Sequence, residues 1–298
     1  MSDVATTQVL TPKSAEELVA ALAQATPQTR LLAGGTDLVR ALRRPGSEPD
    51  LLVDLTGITE LASIRLVGGS LRVGALATFT QLQWDPLVRE HALCLSLAAA
   101  QVGSTQIRNA GTIGGNIANA SPCADGATAL TALDAGVTTV DGAGTTSTRP
   151  IGDVLLGPNR TGLRHDEAIT EFSFPALGAA HRSAFAKIGS RTAVSVARLS
   201  AALVVRFDAA ADALTDVRVA LGAVGETAFR APSLEQSLLG RAADEETARL
   251  FAQGCVLAVQ ESIPGRYSLP YKQHAALGLA YDAWNMLALS APCEPAWS

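Results

Sequence analysis

The segment that most restricts how this chain can fold lies between residues 102 and 125, where neither a helical nor a strand period is sustained. It is too irregular for an ordinary core element and too apolar for a solvated loop. Glycine lets the backbone come close to a ligand, so we expect this segment to approach one. Its small and amide residues are Asn109, Gly111, Thr112, Gly114, Gly115, Asn116, Asn119 and Ser121.

A second glycine pair, Gly34 and Gly35, follows a short strand predicted at residues 31–33. Like Gly114 and Gly115, this pair follows apolar residues and neighbours a threonine and a carboxylate or an amide. Successive free N–H groups in such turns form a nest for phosphate oxygens, so two turns together can grip a pyrophosphate from two sides. Because the chain contains 26 glycines, an ordinary structural turn is the alternative at each pair.

The common nucleotide-binding signatures are absent from the sequence. There is no GxxxxGK[ST] loop and no GxGxxG that opens a helix with an acidic residue about 20 positions later. There is also no GxSxG elbow, and the four histidines have no obvious serine or cysteine nucleophile beside them. These patterns argue against a P-loop protein, a Rossmann protein and a serine hydrolase.

Length and composition favour a globular protein with two domains. The chain has 298 residues, 48% of them hydrophobic and 17% charged, with a net charge of −5. This acidic balance argues against a nucleic-acid surface, which relies on clustered Lys and Arg. The first residues lack the features of a signal peptide, and no apolar run reaches the roughly 18–20 residues that span a bilayer. We therefore expect a cytoplasmic protein that binds neither nucleic acid nor membrane.

The four cysteines, Cys94, Cys123, Cys255 and Cys293, are far apart in the sequence. No CxxC motif occurs, and no histidine lies at ligand spacing from any of them. We expect buried reduced thiols rather than an iron–sulfur cluster or a structural zinc within this chain.

Local signals predict several elements in the first half of the chain. Capping-box spacing predicts a helix over residues 14–24, and Thr36 is the predicted N-cap of a turn of helix. A hairpin is expected around Gly68 and Gly69, and the alanine- and leucine-rich residues 90–100 predict a helix.

The second half has a different pattern after a small, linker-like segment, and we place a domain boundary near residue 176. Beyond it, alternating residues predict antiparallel strands, followed by two helices. The predicted strands lie at residues 200–207 and 217–221, and the predicted helices lie around residues 244–261 and after Pro270.

Two motifs carry a specific resemblance to a known family. Residues 31–38 read LLAGGTDL and residues 107–122 read IRNAGTIGGNIANASP. Both closely resemble the FAD-binding medium subunits of the molybdenum hydroxylases, which include carbon monoxide dehydrogenases, quinoline and nicotinate hydroxylases and the flavin segment of xanthine dehydrogenase. The resemblance extends over essentially the whole chain, since residues 182–191 resemble the start of the family's C-terminal domain and residues 267–274 its closing helix.

The resemblance implies an α+β fold and FAD as the cofactor. The expected architecture is a two-lobed PCMH-type FAD-binding domain at residues 1–176, with lobes at about 1–56 and 57–176. A smaller α+β C-terminal domain with antiparallel strands and helices would follow at residues 177–298.

The resemblance also implies which residues contact FAD. The two glycine turns would hold the pyrophosphate, while Asp125 matches a carboxylate that hydrogen-bonds FAD. Leu163 falls near a leucine that packs on the cofactor, and Lys187 matches a lysine near the flavin. A core leucine and a solvated lysine on a strand edge are the alternatives for these two. No catalytic residue or metal ligand is assigned, and the implied cofactor-binding residues are Leu32, Ala33, Gly34, Gly35, Thr36, Asp37, Leu38, Thr112, Ile113, Gly114, Gly115, Asn116, Ser121, Asp125, Leu163 and Lys187.

The implied activity is that of an oxidoreductase subunit that passes electrons from iron–sulfur clusters through FAD to an external acceptor. Because this chain offers no cluster ligands, a small iron–sulfur subunit and a large molybdopterin subunit are the expected partners, in a heterohexamer formed as a dimer of heterotrimers. Two alternatives are a stand-alone FAD-dependent dehydrogenase or oxidase of the same fold and a non-enzymatic nucleotide-binding module.

The chain departs from the family pattern at two places near the expected flavin edge. Ser195 stands where many relatives carry an aspartate, and Pro158 and Asn159 replace a more usual aromatic residue. We expect these departures to affect the flavin environment rather than pyrophosphate binding.

Overall fold

The computed structural model describes residues 7–191, 194–208 and 210–289, and within them short helices alternate with strands that form four sheets. The strands are β1 (Gln8–Leu10), β2 (Arg30–Leu32), β3 (Leu51–Asp54), β4 (Ile64–Val67), β5 (Ser70–Gly74), β6 (Gly136–Asp141), β7 (Thr146–Pro150), β8 (Leu155–Gly157), β9 (Arg160–Thr161), β10 (Glu167–Pro175), β11 (His181–Gly189), β12 (Ala197–Asp208), β13 (Ala213–Gly222) and β14 (Phe229–Arg230).

The helices are short in the first two thirds of the chain and long at its end. They are α1 (Ala15–Leu22), α2 (Leu38–Leu42), α3 (Phe79–Trp84), α4 (Pro86–His91), α5 (Leu93–Ala100), α6 (Thr105–Ala110), α7 (Ile113–Asn119), α8 (Asp125–Ala132), α9 (Ile151–Val154), α10 (Pro232–Leu238), α11 (Glu245–Ser262) and α12 (Leu269–Leu289), with two 3-10 helices at Leu55–Gly57 and Thr59–Ala62. Among the described residues, no helix combines the length and the apolar character needed to cross a lipid bilayer.

Each of the three larger sheets has a distinct topology. The first is parallel, with the order β1-β3-β2. The second is antiparallel, with the order β4-β5-β10-β6-β7, and the third is antiparallel, with the order β11-β12-β13-β14. The fourth is the small β8-β9 hairpin.

Apolar side chains fill a core beside each of the larger sheets. The first core contains Leu22 and Val53, and the third contains Phe251 and Val219. The central core includes Phe172 from the second sheet but also Phe185 from β11. The third sheet therefore packs against α5 and α8. A hydrogen bond from Lys187 of β11 to Asp125 links this sheet to the first turn of α8.

Two local predictions are confirmed. Helix α1 begins after Ser14, whose hydroxyl accepts a hydrogen bond from the N–H of Glu17 at 3.2 Å. Gly68 and Gly69 connect β4 to β5 with φ angles of +56° and +78°, which favour glycine at both positions.

Two other local predictions are wrong. Asp37, not Thr36, is the N-cap of α2, and its side chain makes no capping hydrogen bond. The helix predicted over residues 90–100 is divided at Ala92, where φ is −158°. Pro86 at the first helical position begins a separate helix earlier, and the N–H of Cys94 then donates to Ser183 of β11 at 3.0 Å, which anchors the start of α5 on the third sheet.

Candidate cofactor site

The first glycine turn, between β2 and α2, offers a row of free donors. In the described part of the chain, no acceptor receives the backbone N–H groups of Gly34, Gly35, Thr36 and Asp37. Gly35 has a φ of +70°, in the left-handed region that favours glycine. Consecutive N–H groups around a left-handed residue form an anion-binding concavity, so this turn is suited to a phosphate.

The second glycine turn, at the start of α7, uses its N–H groups within the protein. The hydroxyl of Thr112 accepts from the N–H of Gly115 at 3.1 Å and caps the helix. The N–H groups of Ile113 and Gly114 donate to carbonyl oxygens at 3.0 and 2.8 Å, those of Ala77 and Ala75. This turn is therefore fixed by the residues that follow β5 rather than open as a nest.

Within each glycine pair, an added Cβ would meet different neighbours. A Cβ on Gly34 would lie 1.7 Å from the carbonyl oxygen of Ala110, and one on Gly114 would lie 2.7 Å from that of Ala75. A Cβ on the exposed Gly115 would meet only one side-chain oxygen, at 3.0 Å. Gly34 thus lets the first turn pack directly against the segment that leads into the second.

A buried ion pair lies beyond the second turn. The Nζ of Lys187, on β11, donates to Oδ2 of Asp125 at 2.5 Å and to the carbonyl oxygen of Gln101 at 2.9 Å. The side chains of Lys187 and Asp125 are 5% and 4% exposed. This excludes the solvated lysine that was the alternative to a site residue.

Two buried oxygens, one on Asp125 itself and one on its neighbour Asn116, receive no hydrogen bond from the described residues. Oδ1 of Asp125 and Oδ1 of Asn116 are buried, and no described residue donates to either. A Cβ on Gly126 would lie 2.7 Å from Oδ1 of Asn116, so the amide lies against the first turn of α8. Burial raises the pKa of Asp125 to about 6, although the ammonium of Lys187 opposes this shift. Unpaired buried acceptors fit a ligand that supplies hydroxyl or N–H donors, as FAD does.

The remaining expected site residues lie around these groups. Leu163 packs against the central core, as the core-leucine alternative predicts, and Ser121 is half-buried in the loop before Asp125. At the first turn, Leu32, Ala33 and Leu38 are half-buried.

Contacts that the sequence did not indicate help to build the site. The carbonyl of Gln101 binds Lys187, and the N–H of Asn159 donates to the carbonyl of Ala120 at 2.8 Å. Asn159 has a φ of +52°, which asparagine tolerates better than most residues. The asparagine itself is the one feature of the sequence that could have indicated this contact. Ser195 packs against Gly189, where an added Cβ would lie 1.9 Å from the serine oxygen.

Comparisons with protein families define the class of this chain. Residues 5–177 match the FAD binding domain in molybdopterin dehydrogenase, and residues 184–287 match the CO dehydrogenase flavoprotein C-terminal domain. The two matches therefore define the chain as an FAD-binding component of an oxidoreductase.

Individual relatives narrow the class to a family. The nicotinate dehydrogenase FAD-subunit of Eubacterium barkeri is 33% identical over 252 residues, 84% of either chain. The carbon monoxide dehydrogenase medium chain of Hydrogenophaga pseudoflava is 30% identical over 274 residues, 92% of this chain and 94% of that one. This chain belongs to the family of FAD-binding medium subunits of the molybdenum hydroxylases.

Solved structures agree with this assignment. A chain of carbon monoxide dehydrogenase from Hydrogenophaga pseudoflava superposes with a TM-score of 0.85 at 30% identity, covering 95% of this chain and 98% of that one. A chain of quinoline 2-oxidoreductase from Pseudomonas putida 86 gives 0.85 at 28% identity, covering 96% and 98%. The predicted α+β fold is confirmed, and the matches favour the subunit over a stand-alone dehydrogenase or oxidase.

Proposed function

We propose that this chain holds FAD between the two glycine turns and the Asp125–Lys187 pair and thereby carries electrons from a partner chain to an external acceptor. The observation that supports it most directly is the row of free N–H groups from Gly34 to Asp37. When bound, FAD supplies the redox chemistry, taking electrons from iron–sulfur clusters and passing them to the acceptor.

The chain itself supplies binding, orientation and charge. The free N–H groups of the first turn bind phosphate oxygens, and the absence of a side chain at Gly115 leaves room for the pyrophosphate beside the second turn. Asn116 and Asp125 accept hydrogen bonds from the cofactor through their unpaired oxygens. Lys187, fixed by Asp125 and Gln101, places a cation that favours negative charge on the reduced cofactor.

The proposed partners are a small iron–sulfur subunit and a large molybdopterin subunit, in a dimer of heterotrimers in the cytoplasm. Several relatives carry names that specify a medium chain or medium subunit, which supports membership of a multi-subunit enzyme. We further propose a FAD-binding domain at residues 1–176 and a C-terminal domain at residues 177–298, in keeping with the two family matches on either side of this boundary.

The test compares two glycine-to-valine variants of the full chain. Gly115→Val is expected to fold but to lose bound FAD, because the added methyl groups occupy the space beside the second turn. Gly178→Val is the matched control, since a Cβ at this exposed glycine has no neighbour within 4 Å. Visible absorption of the purified proteins gives the flavin content. Stoichiometric FAD in Gly115→Val would reject the pyrophosphate site.

The subunit role has its own test. Purification of the tagged chain from its native cells is expected to recover both partner subunits, with cluster absorption only in the complex. Recovery of a fully active enzyme without either partner would reject the role.

A further inference from the structure

The loop between α7 and α8, residues 120–124, includes or contacts several residues with left-handed backbone. Ala120 opens this loop with a φ of +46°, in the left-handed region that alanine rarely adopts. Its carbonyl accepts from the N–H of Asn159, which has a φ of +52°. Pro122 accepts at its carbonyl from the N–H of Ala223 at 3.0 Å, and Ala223 has a φ of +59°.

Three left-handed residues other than glycine therefore meet at one loop of five residues. Each such conformation costs free energy and persists only where surrounding contacts hold it. Asn159 tolerates the conformation, but Ala223 is a buried alanine with no side chain able to stabilise it. The hydrogen bonds on both sides of Ala223 must hold it instead.

The N–H of Ala223 donates to Pro122, and its carbonyl oxygen accepts a hydrogen bond from helix α12. Nζ of Lys272, on α12, donates to the carbonyl oxygen of Ala223. Lys272 is half-buried, and burial lowers its pKa, with a further lowering by the positive charges of Arg266 and Arg198. The thiol of Cys123, within the loop, is near enough to interact electrostatically with the lysine. A desolvated lysine whose side chain makes one hydrogen bond in the described structure holds that carbonyl by a charge-assisted bond.

We propose that Lys272 is a positioning residue for the cofactor: it locks Ala223 in the left-handed conformation, and through the Ala223–Pro122 hydrogen bond it fixes the loop that presents Ser121 and Asp125. This inference rests on the proposed function for its cofactor, but the state of the loop is measurable without FAD. The family resemblance assigns residues 267–274 only to a closing helix and gives Lys272 no role.

The test uses the full chain with Cys293→Ser, since Cys293 lies outside the described residues, while Cys94 and Cys255 are buried. Lys272→Met is expected to raise the FAD dissociation constant about tenfold to a hundredfold, the effect of losing one charged hydrogen bond. In the FAD-free protein, the rate at which Cys123 reacts with iodoacetamide is expected to rise about tenfold or more, because the released loop exposes the thiol.

Two further variants separate the hydrogen bond from charge and from general destabilisation. Arg266→Met removes a nearby exposed cation but not the contact with Ala223, and we expect wild-type values from it. Lys272→Met combined with Ala223→Gly is expected to recover tighter FAD binding and slower labelling, because glycine adopts the left-handed conformation without strain. Lys272→Gln replaces Lys272→Met if the latter does not fold, with a smaller shift in the same direction.

Several results would overturn the proposal. These are wild-type labelling and affinity in Lys272→Met, equal effects in Arg266→Met, or no recovery on adding Ala223→Gly. A wild-type protein that fails to bind FAD would reject the proposed function, whereas the labelling rates would still decide the role of Lys272.

Discussion

The first glycine turn leaves its N–H groups without protein acceptors, whereas the second directs its N–H groups to the Thr112 hydroxyl and to neighbouring carbonyls. In sequence the two look alike, since each is a Gly-Gly pair after apolar residues beside a threonine. Of the two turns, residues 34–37 therefore offer free donors suited to a phosphate, whereas the N–H groups of residues 113–116 are used within the protein.

The glycines within each pair also differ. Gly34 and Gly114 are required because backbone atoms of Ala110 and Ala75 occupy the space of a Cβ. Gly35 is required because its φ is +70°. Gly115 has no positive φ and no backbone atom in the space of a Cβ, which would meet only the Thr112 side chain, at 3.0 Å. A substitution at each position therefore tests a different part of the site.

The largest effect is expected from Gly34→Ala. Its Cβ would overlap the carbonyl oxygen of Ala110 at 1.7 Å, and backbone cannot move aside as a flexible side chain can. We expect a loss of more than about 4 kcal/mol in the free energy of unfolding, measured by urea denaturation. Gly178→Ala is the control with open space around its Cβ. A wild-type midpoint for Gly34→Ala would mean that the two turns do not touch.

The next largest loss of stability is expected from Lys187→Met, which removes the cation paired with the Asp125 carboxylate. Leaving Asp125 buried without its cation is expected to cost about 3 kcal/mol at pH 8. The exposed Lys13→Met is the control and should cost little.

This loss should shrink at low pH, which distinguishes it from a packing defect. The pKa of Asp125, about 6 in the folded chain, is above its ordinary value, so the folded state binds more protons and stability falls as pH rises from about 4 through 6. Without Lys187 this pKa rises further, so the penalty is present at pH 8 and small at pH 5, where the carboxyl is protonated. Urea denaturation at both pH values checks it, and an equal loss at both would contradict the assignment.

A smaller effect is expected from Gly35→Ala, about 1.5 kcal/mol from the left-handed conformation alone. Because the nest changes shape, the FAD dissociation constant should also rise about tenfold in a fluorescence titration. Gly178→Ala, which has no positive φ to maintain and open space around its Cβ, is the control. Equal FAD affinities in Gly35→Ala and wild type would remove the first turn from the phosphate site.

The smallest effect is expected from Thr112→Ala, about 1 kcal/mol from loss of the N-cap of α7. Thr112→Ser keeps the hydroxyl and should restore stability in thermal denaturation. If Thr112→Ala binds FAD as tightly as wild type, the threonine acts only on the helix.

Sequence reasoning succeeded where the signal was local. Ser14 starts α1 and the Gly68–Gly69 turn joins its two strands because neighbouring residues determine both conformations. It failed at Thr36, where no contact in the described structure explains the later start of α2, and at Ala92, where a contact from elsewhere helps to set the boundary. The anchoring of Cys94 on Ser183, 89 residues away, is one such contact.

The candidate site shows the same limit. Both glycine motifs and the residues Asp125 and Lys187 could be named from the resemblance. The division of roles between Gly34 and Gly35 depends on Ala110, which lies in another part of the chain. Likewise, Lys272 contacts a backbone carbonyl, and no pattern of side-chain types marks such a contact in advance. The contact of Asn159 with the Ala120 carbonyl had only the residue type as a signal.

The pairing of Asp125 with Lys187 also sets an order of events during synthesis. The two residues are 62 positions apart, a distance that a ribosome covers in about 3 to 12 seconds at roughly 5–20 residues per second. Until β11 emerges and docks, Asp125 has no cation and its carboxylate stays in water. The nascent chain can thus shape the first turn early, but it completes the proposed cofactor site only after the third sheet has begun to form.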